Sequence, residues 1–153
     1  FIVAMNLENS LFSINLKAAA ADWRDAIRLA GDGLVAAGVT TGDYTDQMIA
    51  AVEEHGPYIV IAPGIALAHA RPSEAVLKGG LSWVSLKDPV NFGHAKNDPV
   101  TLVIGLAATD HTAHIEVLKA LAGVLANKDL RGRLEAATTE TEVRDLLKSL
   151  NTQ

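Results

Sequence analysis

The stretch VTLVIGLAATDHTAHIEVL, residues 100–118, joins an apolar run to a segment of different periodicity. Its first part, Val100–Ala108, is almost continuously apolar rather than alternating, which is typical of a strand covered on both faces. From Ile115 onward, apolar residues recur at the spacing of a helix. The stretch therefore predicts a buried central strand that leads into a helix.

Other apolar runs predict the rest of a sheet. Leu81–Leu86 is also nearly continuous, and Tyr58–Leu67 is interrupted by Pro63–Gly64. Phe12–Lys17 alternates strictly between apolar and polar residues, which predicts a half-buried strand. Lys87–Asp98 contains proline, glycine and asparagine and predicts a loop or hairpin-like excursion.

Helical patterns lie on both sides of this strand-rich middle. We expect one helix capped by Asp22, a second from about Asp43 to Gly56, and three in the C-terminal third, the last opened by the capping box Thr139-x-x-Glu142. This arrangement predicts a single domain over residues 1–153, a three-layer α/β/α sandwich with a mixed central sheet. The apolar stripes expected on the C-terminal helices are Ile115, Leu118, Ala122 and Leu125; Leu130, Leu134 and Ala137; and Val143, Leu146, Leu147 and Leu150.

Composition excludes several classes of function. The net charge is −5 and no run of Lys or Arg exists, so we expect neither a nucleic acid nor an anionic membrane surface as a partner. The chain has no cysteine, which excludes disulfides, Cys-based zinc sites and a thiol nucleophile. The apolar runs are shorter than the roughly 20 residues of a membrane span, and no signal-peptide pattern is present. A cytoplasmic protein without membrane insertion is expected.

The stretch IAPGIALAHARP, residues 61–72, runs from an apolar strand directly into an imidazole and a guanidinium. His69 should lie at or just beyond the end of the strand, where open α/β sheets tend to bind ligands. If the backbone stays extended, the Arg71 side chain leaves on the same face, and its guanidinium suits phosphate or carboxylate oxygens. The pair fits a nucleophile beside an anion-binding group. It fits equally well a histidine that caps a strand and an arginine in solvent.

A second histidine cluster follows the strand Val100–Ala108. Asp110 or Thr112 could cap the helix there, and His114 would lie in its first turn, near the positive end of the helix dipole and N–H groups suited to an anion. Two strands of one sheet could thus bring His69 and His114 together, one ring attacking while the other donates a hydrogen bond. Alternatively, the histidines of this segment only cap the helix.

Other chemistries have weaker support. The pattern His111-x-x-His114, with Asp110 or His69, could bind zinc, but it lacks the glutamate of a metalloprotease motif, and we expect no metal site. The sequence also contains no P-loop and no nucleophile elbow.

Three segments carry a resemblance to a known family: PGIALAHARP (63–72), GLSWVSLKDPVNFGHAKNDPVTLVIGLAATD (80–110) and HIEVLKALAGVL (114–125). In this order and spacing they resemble the enzyme IIA domains of the bacterial phosphoenolpyruvate-dependent sugar phosphotransferase system. The type is mannitol/fructose, and the similarity is greatest to the ascorbate branch. The resemblance covers about Phe12 to Leu150 and implies the fold of that family.

The resemblance also implies a function. His69 would receive a phosphoryl group from the phosphohistidine of the carrier HPr and pass it to a cysteine of enzyme IIB, which phosphorylates the sugar imported by the membrane enzyme IIC. His114 would be the second active-site histidine. From the residues themselves, Arg71 and His111 are further candidates for binding the phosphoryl group, and whether His111 shares the task of His114 is open. No cofactor is implied. One alternative is a regulatory module of the same fold whose phosphohistidine signals to a regulator; another is a binding domain with a degenerate, unphosphorylated site.

The sequence departs from the family pattern in two places. Ala68 stands where the family usually has proline before the nucleophilic histidine. The mannitol-type pattern also has an arginine in the helix before this segment. By spacing, that position falls near Glu53 in this chain, and we hypothesise that Arg71 takes the place of the family's arginine. We also expect an apolar rim around His69, formed by Ile65, Leu67 and neighbours, on which HPr and enzyme IIB dock in turn.

Overall fold

The structure, a computed structural model, describes residues 7–149. Leu150, expected in the last apolar stripe, lies outside the described residues. The strands are β1 (Leu11–Ala18), β2 (Val60–Ala62), β3 (Ile65–Ala68), β4 (Gly80–Val90) and β5 (Val100–Ala107). The helices are α1 (Leu7–Ser10), α2 (Trp23–Ala36), α3 (Gly42–His55), α4 (His111–Leu125), α5 (Lys128–Ala136) and α6 (Glu140–Lys148).

The five strands form one mixed sheet in the order β1-β4-β5-β3-β2. β4 pairs antiparallel with β5 and parallel with β1, while β3 pairs parallel with β5 and antiparallel with β2. The hairpin-like excursion predicted at Lys87–Asp98 is confirmed in part: the segment connects the antiparallel strands β4 and β5, but β4 itself continues to Val90, which pairs with Val100. The pairing of β4 with β5 is irregular between Ser85 and Val90 and resumes at Val90. Both Val90 and Val100 are buried.

Helices cover both faces of the sheet, which confirms the α/β sandwich. Because successive residues of a strand point to opposite faces, β4 and β5 contribute to two separate cores. Val84 and Val103 pack with α2 and α3, whereas Trp83 and Ile104 pack with α4, α5 and α6. No helix within residues 7–149 combines the length and the apolarity needed to cross a bilayer.

Two predicted caps are confirmed. The Asp22 carboxylate accepts from the N–H of Asp25 at 2.9 Å. Thr139 Oγ1 accepts from the N–H of Glu142 at 3.2 Å, and the Glu142 carboxylate reaches back to Thr138 and Thr139. Both caps satisfy N–H groups that have no partner inside their own helix.

The predicted apolar stripe of α4 is half right: Leu125 is buried and Leu118 packs against the core, but Ile115 and Ala122 are exposed. Val117, Leu121 and Val124 face the core, whereas Ile115 is 51% exposed and Leu118 is only partly buried. The helix is apolar around most of its circumference, so periodicity alone does not decide which side is buried. As a result, α4 presents an apolar side chain, that of Ile115, directly beside His114.

Candidate active site

His69 directly follows β3, whose four residues are all buried. Its partly buried ring places Nδ1 2.8 Å from the carbonyl oxygen of Leu67. A carbonyl oxygen can only accept a hydrogen bond, so we assign the proton to Nδ1. In the neutral ring, Nε2 then carries the free lone pair.

His114 lies beside His69 in the structure. α4 begins at His111 and is capped by Asp110, whose carboxylate accepts from the N–H of Ala113 at 2.8 Å. Of the two possible caps, Asp110 rather than Thr112 is therefore used. The cap fixes the first turn of α4, and the rings of His69 and His114 lie 5.2 Å apart between centroids, at 61°.

Burial favours the neutral form of both rings. Burial lowers the pKa of His69 below its ordinary value, although the bond to the Leu67 carbonyl opposes the shift. Burial also lowers the pKa of His114, and repulsion by His69 and then His111 lowers it further. A neutral imidazole is the nucleophilic form, so the site favours the reactive state of His69.

This pKa shift predicts the pH dependence of phosphoryl acceptance. The neutral ring predominates above its pKa, and a lowered pKa extends that range toward acid. The His69 ring is therefore expected to titrate with a midpoint below 6.5, and acceptance should persist until that midpoint is reached. Histidine ring resonances followed by NMR during a pH titration measure the midpoint. A value at or above 6.5 would contradict the arrangement.

A polar atom of His114 is unpaired. Its Nδ1 is buried and has no hydrogen-bond partner among the residues that the structure describes. Leaving a buried polar group unpaired costs about 1–3 kcal/mol. Thr40 Oγ1 and Trp83 Nε1 are also buried without a partner among the described residues, so what distinguishes the His114 nitrogen is its place beside His69.

An open cleft of about 720 Å³ lies beside His69. Arg71 lines this cleft together with His69 and is exposed. Arg71 forms no salt bridge within residues 7–149, so its guanidinium is available to an anion. The remaining lining residues are Gln47, Ala50, Ala51, Glu54, His55, Tyr58, Ala70, Pro72 and Ser73.

The other candidate residues lie further from the reacting ring. His111 is exposed at the start of α4 and acts on His114 through charge. Glu53 pairs with Arg24 at 2.9 Å on an exposed surface and does not line the cleft. Within residues 7–149, no group of three or more His, Asp or Glu side chains is placed to hold a metal ion.

The predicted apolar rim of Ile65 and Leu67 is wrong. Ile65 is 0% exposed and Leu67 1%, because β3 is an inner strand whose faces are both covered. Neither side chain can contact a partner. The exposed apolar side chains next to the histidines are Tyr58, at 43%, and Ile115.

Sequence reasoning missed two tyrosines of the site. The Tyr58 ring lies edge-on to the His69 ring, with 5.5 Å between the ring centroids. The Tyr58 hydroxyl also interacts electrostatically with the positive charge of Arg71. Tyr44 is a buried residue of α3, and its hydroxyl contacts the backbone of Ala70, next to His69. The only feature of the sequence that points to the role of Tyr44 is the presence of a tyrosine, rather than a phenylalanine, at a buried position of α3.

Comparison with known proteins agrees with this geometry. Residues 9–150 match the family model for the phosphoenolpyruvate-dependent sugar phosphotransferase system, EIIA 2. The chain is 43% identical over 151 residues to the ascorbate-specific PTS system EIIA component of Shigella boydii, covering 96% of this chain and 98% of that protein.

Solved structures of similar proteins share the fold. The mannitol-specific cryptic phosphotransferase enzyme IIA CmtB from Escherichia coli superposes with a TM-score of 0.84 at 31% identity, covering 95% of this chain and 99% of that one. The mannitol enzyme IIA of Escherichia coli, solved in complex with phosphorylated enzyme IIB, gives 0.79 at 31% identity, covering 90% and 94%. The chain therefore belongs to the EIIA 2 family of the sugar phosphotransferase system, and it is a phosphocarrier transferase that relays phosphoryl groups in sugar uptake.

Proposed function

We propose that His69 is the residue that carries the phosphoryl group and that Nε2 is the atom that bonds to phosphorus. The hydrogen bond from Nδ1 to the Leu67 carbonyl carries this proposal, because it leaves Nε2 as the nitrogen with a free lone pair. The same bond holds the ring in one orientation. Phosphoryl transfer depends mainly on such positioning and on stabilisation of negative charge.

The transfer takes place in two displacements. The Nε2 lone pair attacks the phosphorus of phospho-HPr, the bond from phosphorus to the HPr ring nitrogen breaks, and that nitrogen keeps the electron pair. In the second displacement, a cysteine thiolate of enzyme IIB attacks the phosphorus and His69 regains its lone pair. Nδ1 keeps its proton throughout.

Two neighbours of His69 stabilise the phosphoryl oxygens. The ring of His114, with its unpaired nitrogen, is close enough to donate to a group carried by His69. Arg71 adds a fixed positive charge from the wall of the cleft, and His111 lies exposed at the start of the helix that holds His114. The arginine thus compensates for the glutamate at position 53.

The Arg71→Ala variant is expected to accept phosphate more slowly, by about tenfold to a hundredfold, since a hydrogen bond to a charged group contributes about 1.5–3 kcal/mol. Initial rates of labelling by phospho-HPr measure the loss. Arg24→Ala is the matched control, because Arg24 pairs with Glu53 outside the cleft. An undiminished rate in Arg71→Ala would reject the role of this arginine.

We propose ascorbate as the sugar, with the enzyme IIB of an ascorbate system as the acceptor, because the Shigella boydii relative is ascorbate-specific. The protein would work in the cytoplasm, on the inner side of enzyme IIC. The exposed Tyr58 and Ile115 beside the histidines give HPr and enzyme IIB apolar contacts in turn.

Incubation with phosphoenolpyruvate, enzyme I and HPr tests the function. The intact mass of the chain should rise by one phosphoryl group, and the group should then pass to the ascorbate enzyme IIB faster than to a mannitol enzyme IIB. No mass increase would overturn the role of phosphocarrier. Equal transfer to both acceptors would overturn the assignment of ascorbate.

A further inference from the structure

Tyr44, in the first turn of α3, is fully buried, yet its hydroxyl makes three polar contacts. The N–H of Ala70 donates to the hydroxyl oxygen at 3.0 Å. The same oxygen lies 2.6 Å from the Leu106 carbonyl oxygen and 3.1 Å from that of Ala70. A phenol has one proton, so it donates to one carbonyl at a time, and the Leu106 carbonyl is the closer. Burial raises the pKa of Tyr44 to about 12, so this proton is retained at neutral pH.

These contacts join the two chain segments that carry the site histidines. Ala70 directly follows His69, and Leu106 lies in β5 four residues before Asp110, the cap of the helix that holds His114. The pairing of β3 with β5 ends at Ala68 and Gly105. Just beyond that point, the Tyr44 hydroxyl bridges an N–H of one segment and a C=O of the other.

Close helix packing fixes the position of Tyr44. A Cβ atom on Gly31 of α2 would collide with the side chain of Thr45, the residue after Tyr44. α2 and α3 therefore approach closely, and the first turn of α3 has little freedom to move. The hydroxyl is thus a fixed point at the end of the sheet.

We propose that Tyr44 is a positioning residue for phosphoryl transfer, whose hydroxyl holds the segment after His69 in register with the strand that leads to His114. The proposal rests on the function of His69 proposed above. Tyr44 acts through the backbone and does not contact the phosphoryl group. A displacement of about 1 Å between reacting groups can cost about a hundredfold in rate.

The test compares Tyr44→Phe with Ser85→Ala. The phenylalanine keeps the ring and removes the three contacts. Ser85 is also buried, and its hydroxyl accepts from the N–H of Lys17 at 2.8 Å, but it pairs with Leu102 toward the opposite end of β5. Ser85→Ala thus removes a comparable bond without touching either histidine segment. Thermal unfolding identifies a temperature at which both variants are folded.

The readouts are labelling kinetics over a range of phospho-HPr concentrations and the ¹⁵N shifts of the His69 ring. For Tyr44→Phe we expect kcat to fall by about tenfold to a hundredfold, with KM little changed and the ring shifts displaced. Ser85→Ala should match wild type in both. Para-aminophenylalanine at position 44 returns a polar group on the same ring and should recover part of kcat. If Tyr44→Phe does not fold, this variant takes its place in the comparison with wild type.

The outcomes separate the two proposals. Suppose that the wild-type chain is labelled on His69 and that Tyr44→Phe shows the same kcat and the same His69 ring shifts as wild type. The proposal for Tyr44 is then overturned, while the function of His69 stands. An equal loss of kcat in Ser85→Ala would also overturn it, because the effect would then be general destabilisation. If wild type is not labelled on His69, the proposed function fails, and the role of Tyr44 fails with it.

Discussion

The His69→Gln variant is expected to accept no phosphoryl group under conditions that label the wild-type chain completely. Glutamine is polar and of similar size, but its amide nitrogen has no free lone pair to attack phosphorus. No cysteine exists to take over as the nucleophile. The intact mass after incubation with phosphoenolpyruvate, enzyme I and HPr measures the outcome.

His94→Gln provides the control for this experiment. His94 lies outside the cleft, and its Nδ1 accepts backbone N–H groups of Lys96 and Asn97, a role that a glutamine oxygen can partly fill. This variant should be labelled like wild type. A mass increase in His69→Gln would show that another residue carries the group, and the assignment of His69 would be wrong.

The His114→Ala variant is expected to be labelled on His69 but about a hundredfold to a thousandfold more slowly. Removing one preorganised donor to a developing oxyanion typically has an effect of this size. The reason here is the 5.2 Å separation of the rings, which allows His114 to reach oxygens of a group held by His69. Rapid-quench labelling with phospho-HPr measures the rate, and peptide mapping locates the group.

His111→Ala serves as the comparison, because His111 is exposed one turn earlier and acts on the site only through charge. Its loss should slow labelling less than the loss of His114. A wild-type rate in His114→Ala would exclude the proposed contact with the phosphoryl oxygens. Equal losses in both variants would mean that the two histidines share the task.

Much of the fold follows from local patterns. The unbroken apolar runs around Val84 and Val103 predict inner strands, since strands covered on both faces typically have such a composition. The polar residues after β3 and β5 mark the edge where His69 and His114 meet. Parallel pairing of these strands then brings their ends together, and parallel strands joined by crossovers are common in such folds.

What the sequence does not reveal depends on packing between distant segments. Ile115 and Val117 are both apolar, and only the placement of α4 on the sheet decides that Val117 is buried. The closeness of Ile65 to His69 along the chain suggests a docking rim, but β3 is an inner strand and Ile65 is buried. The bonds of Tyr44 join residues 26 and 62 positions away, so no local pattern contains them.

The nitrogen that carries the phosphoryl group tests the central claim most directly. After labelling of the ¹⁵N-enriched chain, NMR of the histidine rings distinguishes a bond to Nε2 from a bond to Nδ1 by ring shifts and by coupling to phosphorus. We predict a single phosphoryl group on Nε2 of His69, with Nδ1 still protonated. A group on Nδ1 of His69, or on His114, would contradict the account.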